Sequence, residues 1–461
     1  MNLWRWTIMG CAILVVLCGC SPERTEFSWP QPRPLGRELA AYKSPPQPTT
    51  VPAVAVAFAE PKGPLMLHQA LALALMKNPT LASFGWEVRT REAQALQAGL
   101  PPNPDVSIEI ERKTETEEGT PSGIRGAEYT VALSQVIEMG GKRIKRRNLA
   151  SREQTLAGWD YEAARLDVLT QVSKGYIDVV AAQERVALSQ ELMGLAARSL
   201  QTVAERVKAG KVSPMEESKA RVALATSRIE LKQAQRRLEA NQKQLSYIWG
   251  TLRPSFARAT GNLYDAKSIP PEETVLCLIS ENPDIARWAD EMDQRLAAVE
   301  LEKARRIPDL TVWGGYRWIG AENNSSLVVG VSSPLPIYNR NQGGIQEAKY
   351  RFSKGLEDRE SARIRVRTSL AESYEALSSA YAEAVTLRQE VLPEAQSAFH
   401  ASTEGFQAGK FGYLEVLDAQ RTLFEARGQY IGALTNYHKS RADVERLIGT
   451  PIHSLTNKER K

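Results

Sequence analysis

The spacing of hydrophobic positions changes along this chain, and the changes mark its elements. From Lys142 to about Lys208 no proline interrupts a pattern dominated by Ala, Leu, Arg, Glu and Gln. That predicts one continuous helix on the order of 100 Å long at the rise of an α-helix. Gln342 to Gln407 repeats the pattern, broken only by Pro393. Helices of this length cannot bury themselves in a globule of one chain, and small pairs such as Ala181-Ala182 and Ala196-Ala197 favour side-by-side coiled packing. From Asp105 the period falls to two: Val106, Ile108 and Ile110 alternate with Ser107, Glu109 and Glu111. Similar runs start at Ala127, Asp309 and Ser325. Each is about ten residues long, the length at which a tilted strand crosses a bilayer. Gly119, Pro121, Ser122 and Gly123 separate the first pair, and Gly320, Asn323 and Asn324 the second, which predicts exposed turns. Trp313, Tyr316 and Trp318 suit an interfacial aromatic belt and would also suit a sandwich core.

The pattern occurs twice. Asn78-Pro79 matches Asn282-Pro283, and Pro104-Asp105 matches Pro308-Asp309, both 204 residues on. Ala209-Gly210-Lys211 matches Ala408-Gly409-Lys410, and Trp249-Gly250 matches Ile448-Gly449, both 199 residues on. A run of matches in one order at nearly constant offset marks a duplicated unit far longer than a solenoid repeat. The reading is a mainly α chain with a small β part, in which each repeat holds long coiled helices and a two-strand hairpin. We divide it into 65–261 and 262–455, with a charged tail at 456–461. Four strands cannot close a membrane barrel, and an open edge in lipid would leave backbone amides unpaired, so a membrane location requires further copies.

Within Phe406 to Arg427, Gly409 and Gly412 interrupt a helical pattern that resumes with Leu414, Leu417, Leu423 and Phe424. Glu415 and Asp418 stand three apart at the start of the second helix, so their carboxylates point the same way. Acids are also favoured in a helix's first turn by its macrodipole, and that reading stands beside a functional one. The matching positions of the first repeat are Glu216 and Lys219, mixed in sign.

The N-terminus reads as an export signal over residues 1–19: Arg5, an apolar run from Met9 to Leu17, then Leu17-Cys18-Gly19-Cys20. This ending resembles the bacterial lipobox, which would make Cys20 the lipidated first residue of the mature chain. Residues 20–64, rich in proline, are expected to run extended over a surface, as a tether between lipid and the folded body, with a helix beginning at Leu65. Of the four cysteines only Cys277 then keeps a free side chain, expected as a small core residue on an apolar helix face.

Net charge is +5, with basic and acidic residues interleaved along the helices, which argues against a nucleic-acid surface. His68, His400, His438 and His453 lack ligand spacing, and no P-loop, dinucleotide fingerprint or nucleophile elbow occurs. Neither a cofactor nor an enzyme is implied.

PPNPDV at Pro101 to Val106, MGGKR at Met139 to Arg143 and PLPIYNRNQGGIQEA at Pro334 to Ala348 resemble the TolC-like outer membrane efflux proteins, and most closely their cation-efflux branch. The resemblance covers Leu65 to Ile452. It implies a homotrimer with a shared twelve-stranded barrel in outer membrane lipid and a long periplasmic helical barrel. It also implies a periplasmic adaptor, or membrane fusion protein, and an inner-membrane pump that supplies the energy. On this resemblance Glu415 and Asp418 of GKFGYLEVLDA take the acidic positions of the periplasmic gate. The turns at Gly210, Lys211, Gly409 and Lys410 become the adaptor-docking sites. The expected function is passive conduction of substrate, heavy-metal cations above all, to the exterior. An outer channel for protein secretion and a periplasmic structural coiled-coil lipoprotein remain as alternatives.

Overall fold

A computed structural model describes residues 29–45, 60–112, 127–320 and 324–452. One order of elements occurs twice. The first half holds strand β1 (Pro64–Met66), helices α1 (Leu67–Lys77) and α2 (Pro79–Ala98), strands β2 (Asp105–Arg112) and β3 (Ala127–Ile137), and helices α3 (Lys142–Lys208) and α4 (Pro214–Tyr247). After strand β4 (Arg258–Thr260) and the short α5 (Glu272–Leu276), the second half holds α6 (Pro283–Arg305), β5 (Leu310–Ile319), β6 (Asn324–Ser332), α7 (Gln342–Thr386), α8 (Leu392–Gln407) and α9 (Tyr413–Ile448). The 67 residues of α3 form one unbroken helix. Its counterpart is divided at Pro393, which sits in the first turn of α8 behind a π turn at Leu387–Val391. The wider turn accommodates a proline that lacks an N–H and would clash with the preceding turn of a regular helix. Among the described residues no helix is long and apolar enough to cross a membrane.

Two compact units share these elements, one of 88–157 and 289–358, the other of 30–87, 158–288 and 359–452. The first contains an antiparallel sheet in the order β2-β3-β5-β6. Strand pairing aligns Ile108, Val131, Tyr316 and Leu327 across one face, flanked by Val106, Ile110, Tyr129, Leu133, Trp318 and Val329. Ile108 is 71 % exposed and Leu327 79 %, so this apolar surface lies open on all four strands. The opposite face carries Ser107, Glu109 and Glu111 against Glu128 and Thr130, with Arg317 hydrogen-bonded to Thr130 Oγ1 at 3.0 Å. Such a division, apolar outward and polar inward, is that of a strand set between lipid and an aqueous lumen. Among the described residues β2 and β6 each leave one edge unpaired.

The three aromatic residues do not share one role. Tyr316 and Trp318 lie on the apolar face, Trp318 stacking on Tyr129 with ring centroids 5.6 Å apart. Trp313 lies on the polar face, over Gly330 directly opposite, where a Cβ would come within 2.4 Å of its ring. At 37 % exposure it stands on the face opposite the other two and does not join them in one belt. The run from Ser325 ends at Ser332, ahead of Pro334 and Pro336, which cannot donate to a ladder.

MGGKR is the fastener between strand and helix. Gly140 and Gly141 have φ of +70° and +69°, and at Gly140 a Cβ would also press to 2.8 Å from Ile307 Cδ1. The turn delivers Lys142, whose ammonium reaches Asp309 Oδ1 at 2.7 Å, while the Met139 amide donates to the same oxygen at 2.9 Å. Burial alone would raise the Asp309 carboxyl, but these two hydrogen bonds outweigh it and hold it below the usual aspartate range. Arg146 adds a pair to Glu138 at 2.5 Å and hydrogen bonds to the Ala98 and Leu100 carbonyls.

In the second unit the repeated Asn-Pro notches prove to be double caps. Asn78 Oδ1 accepts from the Leu81 amide (2.9 Å), and its Nδ2 donates to the Ile248 carbonyl (2.7 Å) at the end of α4. Asn282 does the same in the second half, accepting from Asp284 (2.7 Å) and donating to Leu447 (2.8 Å) in α9. Each proline takes the first helical position, where its missing N–H costs nothing. One side chain thus begins one helix and satisfies the end of another, which is why the notch and the distant Trp-Gly or Ile-Gly signal recur together. Asn282 is fully buried, so Asn282→Ala is expected to cost about 1–3 kcal/mol from the lost cap and the stranded Leu447 carbonyl. A urea titration of the detergent-solubilised protein measures it.

The expectations for Leu65 and Cys277 need correction here. Leu65 does not begin a helix: it lies in β1, which pairs in parallel with β4, and Tyr176 places its hydroxyl between the carbonyls of Leu65 (2.8 Å) and Thr260. Within the range 20–64, residues 30–45 are fastened to the body by specific contacts. Arg165 forms a bidentate pair with Glu162 (2.8 Å for both contacts), the two side chains only 3 % and 4 % exposed. Glu162 in turn accepts from the Arg33 amide (2.7 Å), while Arg165 donates to the carbonyls of Arg33 and Gly36. Further along, Leu35 donates to Gly449, Tyr42 donates to Leu75, and Tyr161 donates to the Tyr42 carbonyl. Cys277 also departs from expectation: it caps α5 with its side chain exposed, and Val275 supplies the buried contact to Leu370, Leu377, Tyr437 and Ile448.

Candidate functional site

The two helical corners share one backbone geometry. After α3, Gly210 at φ +68° lets the Lys211 amide bond back to the Arg206 carbonyl (2.9 Å) and the Gly210 amide to Val207 (3.0 Å). After α8, Gly409 at φ +75° does the same for Lys410 to Gly405 (2.8 Å) and Gly409 to Phe406 (3.1 Å). This paired bonding closes a helix end around a left-handed residue. A Cβ at either glycine would meet nothing within 4 Å, so conformation and not space selects glycine there. The side chains of Lys211 and Lys410 are exposed beyond the bend.

Beyond the bends the two repeats diverge. Ser213 caps α4 by accepting from the Met215 amide (3.2 Å), with Pro214 at the first position. Glu216 then turns partly inward, one carboxylate oxygen buried without a partner, and Lys219 is half-buried. Gly412 begins α9 with no side-chain cap. Glu415 bends back over it, its Oε2 within 2.9 Å of where a Gly412 Cβ would stand. Both Glu415 and Asp418 are exposed, on the side of α9 opposite buried Tyr413, Val416 and Gln420. Among the described residues the second repeat therefore presents two exposed carboxylates one turn apart that form no hydrogen-bonded ion pair, Asp418 feeling the charge of Arg421, whereas the first turns Glu216 and Lys219 partly inward.

The corners also touch each other, through a residue that sequence reasoning missed. Arg206 donates to the Phe406 carbonyl (2.9 Å) and the Gln407 carbonyl (3.1 Å), the open end of α8, and its guanidinium lies 4.1 Å from the Phe406 ring centroid. It joins a cluster of Val203, Ala220, Phe406, Tyr413 and Val416 drawn from both hairpins. Its one sequence trace is a basic residue in the last turn of a long helix, which by itself signals only a favourable dipole. Cys20 lies outside the described residues.

A sheet with a lipid-type face and open edges, joined in sequence to helical hairpins with glycine corners, defines a subunit of a membrane channel. The chain belongs to the outer membrane efflux protein family, whose sequence model matches residues 70–251 and 277–450. It is 38 % identical over 390 residues to the cobalt-zinc-cadmium resistance protein CzcC of Cupriavidus metallidurans, covering 85 % of this chain and 91 % of that one. Its fold matches the crystal structure of CusC with a TM-score of 0.71 at 16 % identity, covering 94 % of this chain and 100 % of that one. It matches the Campylobacter jejuni CmeC outer membrane channel at 0.69 and 18 %, covering 96 % and 97 %. The protein is accordingly an outer membrane efflux channel with a periplasmic helical extension. Channels of this family are homotrimers that work with adaptor proteins and inner-membrane pumps.

Proposed function

We propose that this channel carries divalent heavy-metal cations, delivered by an inner-membrane pump through a periplasmic adaptor. The 38 % identity with CzcC across 85 % of the chain supports the cargo. In a trimer, β6 of one copy would pair with β2 of the next and leave no edge in lipid. Adaptor hairpins would dock at the corners around Gly210 to Met215 and Gly409 to Leu414, and Cys20 would anchor the mature N-terminus in the outer membrane.

Three copies of Glu415 and Asp418 would set six carboxylates around the axis of the periplasmic opening. At about 6 Å in water each neighbouring pair repels by only about 0.7 kcal/mol, and salt screens it beyond roughly 8 Å. Such a ring favours entry of cations and resists tight closure without preventing it. Expressing the chain with its pump and adaptor in a host lacking its own outer channels tests the cargo. Restored tolerance of zinc, cobalt or cadmium is the expected outcome, and tolerance gained only towards organic toxicants would refute the cation assignment.

A further inference from the structure

Ion pairs lace α3 to α9: Asp167 with Arg446 (2.7 Å), Lys174 with Asp443, Asp178 with Lys439 (2.6 Å) and Glu191 with Arg427 (2.9 Å). Arg185 lies between Asp178 and Glu191 in this series, and no carboxylate answers it. Across from it stands Gly432, where a Cβ would come only to 3.6 Å from Arg185 Nη2. From α4 a second guanidinium, Arg237, lines the same space. Among the described residues neither arginine comes within ion-pair distance of an acid. Both guanidiniums are exposed to solvent at the mouth of this space; partial desolvation, and after it repulsion from Arg237, lowers the Arg185 guanidinium from its ordinary range.

The space is a cavity of about 710 Å³ between α3, α4 and α9, lined in part by Arg185, Arg237, Ser227, Gln420 and Gly428. A second hollow of about 230 Å³ shares the two arginines and adds Asn241 and Asn436. Other charges at these walls are mostly engaged: Glu425 by Arg421 (2.7 Å) and Asp178 by Lys439. Glu230 is the remaining acid of the lining, against two unanswered arginines. The Asn241 amide already donates to the Asp178 carbonyl (2.9 Å); two guanidiniums with the Asn436 side chain nearby, in a hollow bordered by Gly428 and Gly432, suit a group with several oxygens and a negative charge.

We propose that Arg185 and Arg237 form a binding site for a small oxyanion, of the phosphate or carboxylate class, which supplies the missing rung between α3 and α9 and ties α4 to them. The occupied site relieves the repulsion between two like charges that the protein itself leaves unbalanced. It is separate from the carboxylates of the α9 first turn and does not depend on the cargo.

The test is the thermal midpoint of the full-length, detergent-solubilised channel titrated with sodium phosphate, against sodium chloride at equal ionic strength. A saturable rise with phosphate that chloride does not reproduce is expected. Arg185→Gln and Arg237→Gln should each weaken the apparent phosphate affinity at least tenfold. Arg237→Glu should raise the midpoint without phosphate and remove the response, because the carboxylate then comes from the chain. Arg185→Lys keeps the charge and controls for folding. The proposal is overturned if phosphate and chloride act alike, or if Arg185→Gln leaves the apparent phosphate affinity within tenfold of the wild type. It is equally overturned if phosphate leaves the wild type unmoved because a carboxylate of a neighbouring copy already fills the hollow.

Discussion

Arg165→Ala is expected to destabilise the protein by about 3–5 kcal/mol, because it strands a buried carboxylate. Glu162 is almost fully covered, and two of its three named contacts come from the Arg165 guanidinium. Without that partner the charge cannot reach water while the fold persists. The least costly escape is to release residues 33–36, whose amide and carbonyls close the same network. The loss should therefore appear first as proteolytic cleavage near Arg37 and as a lowered urea midpoint. A double change, Glu162→Met with Arg165→Met, removes both charges at similar volume and should recover most of the stability. If it were as unstable as Arg165→Ala, packing and not the stranded charge would account for the loss.

Val131→Arg is the second large effect. Val131 lies mid-strand on the apolar face, between Ile108 on β2 and Tyr316 on β5. An arginine near the middle of the bilayer costs about 2–4 kcal/mol on the lipid side of a barrel, and three copies multiply it. Folded, heat-modifiable oligomer in outer membrane fractions should fall sharply. Ser107→Arg, one residue from Ile108 but on the opposite face, should leave that amount unchanged. Equal losses from both would mean that the two faces do not divide lipid from water.

Local chemistry made much of this legible in sequence. The period of two exposed the sheet's faces, and Gly210 and Gly409 marked the corners because only a residue tolerant of positive φ closes a helix in that way. The Asn-Pro notches were visible as repeats, although their second role, reaching the Ile248 and Leu447 carbonyls, is set by distant packing. Trp313 could have been assigned correctly, since its odd number puts it on the opposite face from Tyr316 and Trp318. The fastening of 30–45 left no such trace. Arg33 and Glu162 lie 129 positions apart, and a proline-rich segment has no periodicity to betray what it touches. Arg206 and Phe406 are 200 positions apart and equally silent. Glu415 and Asp418 were found by spacing and stand exposed, yet what they do depends on neighbouring copies.

Single-channel recording in planar lipid bilayers tests the channel and its acidic opening together. The purified protein should insert to give discrete, long-lived conductance steps, with a reversal potential in a salt gradient that favours cations. The Glu415→Gln, Asp418→Asn double variant should keep the steps and lose most of that preference. A wild-type protein that stays water-soluble and yields no conductance would contradict the channel, and an unchanged reversal potential in the variant would contradict the acidic opening.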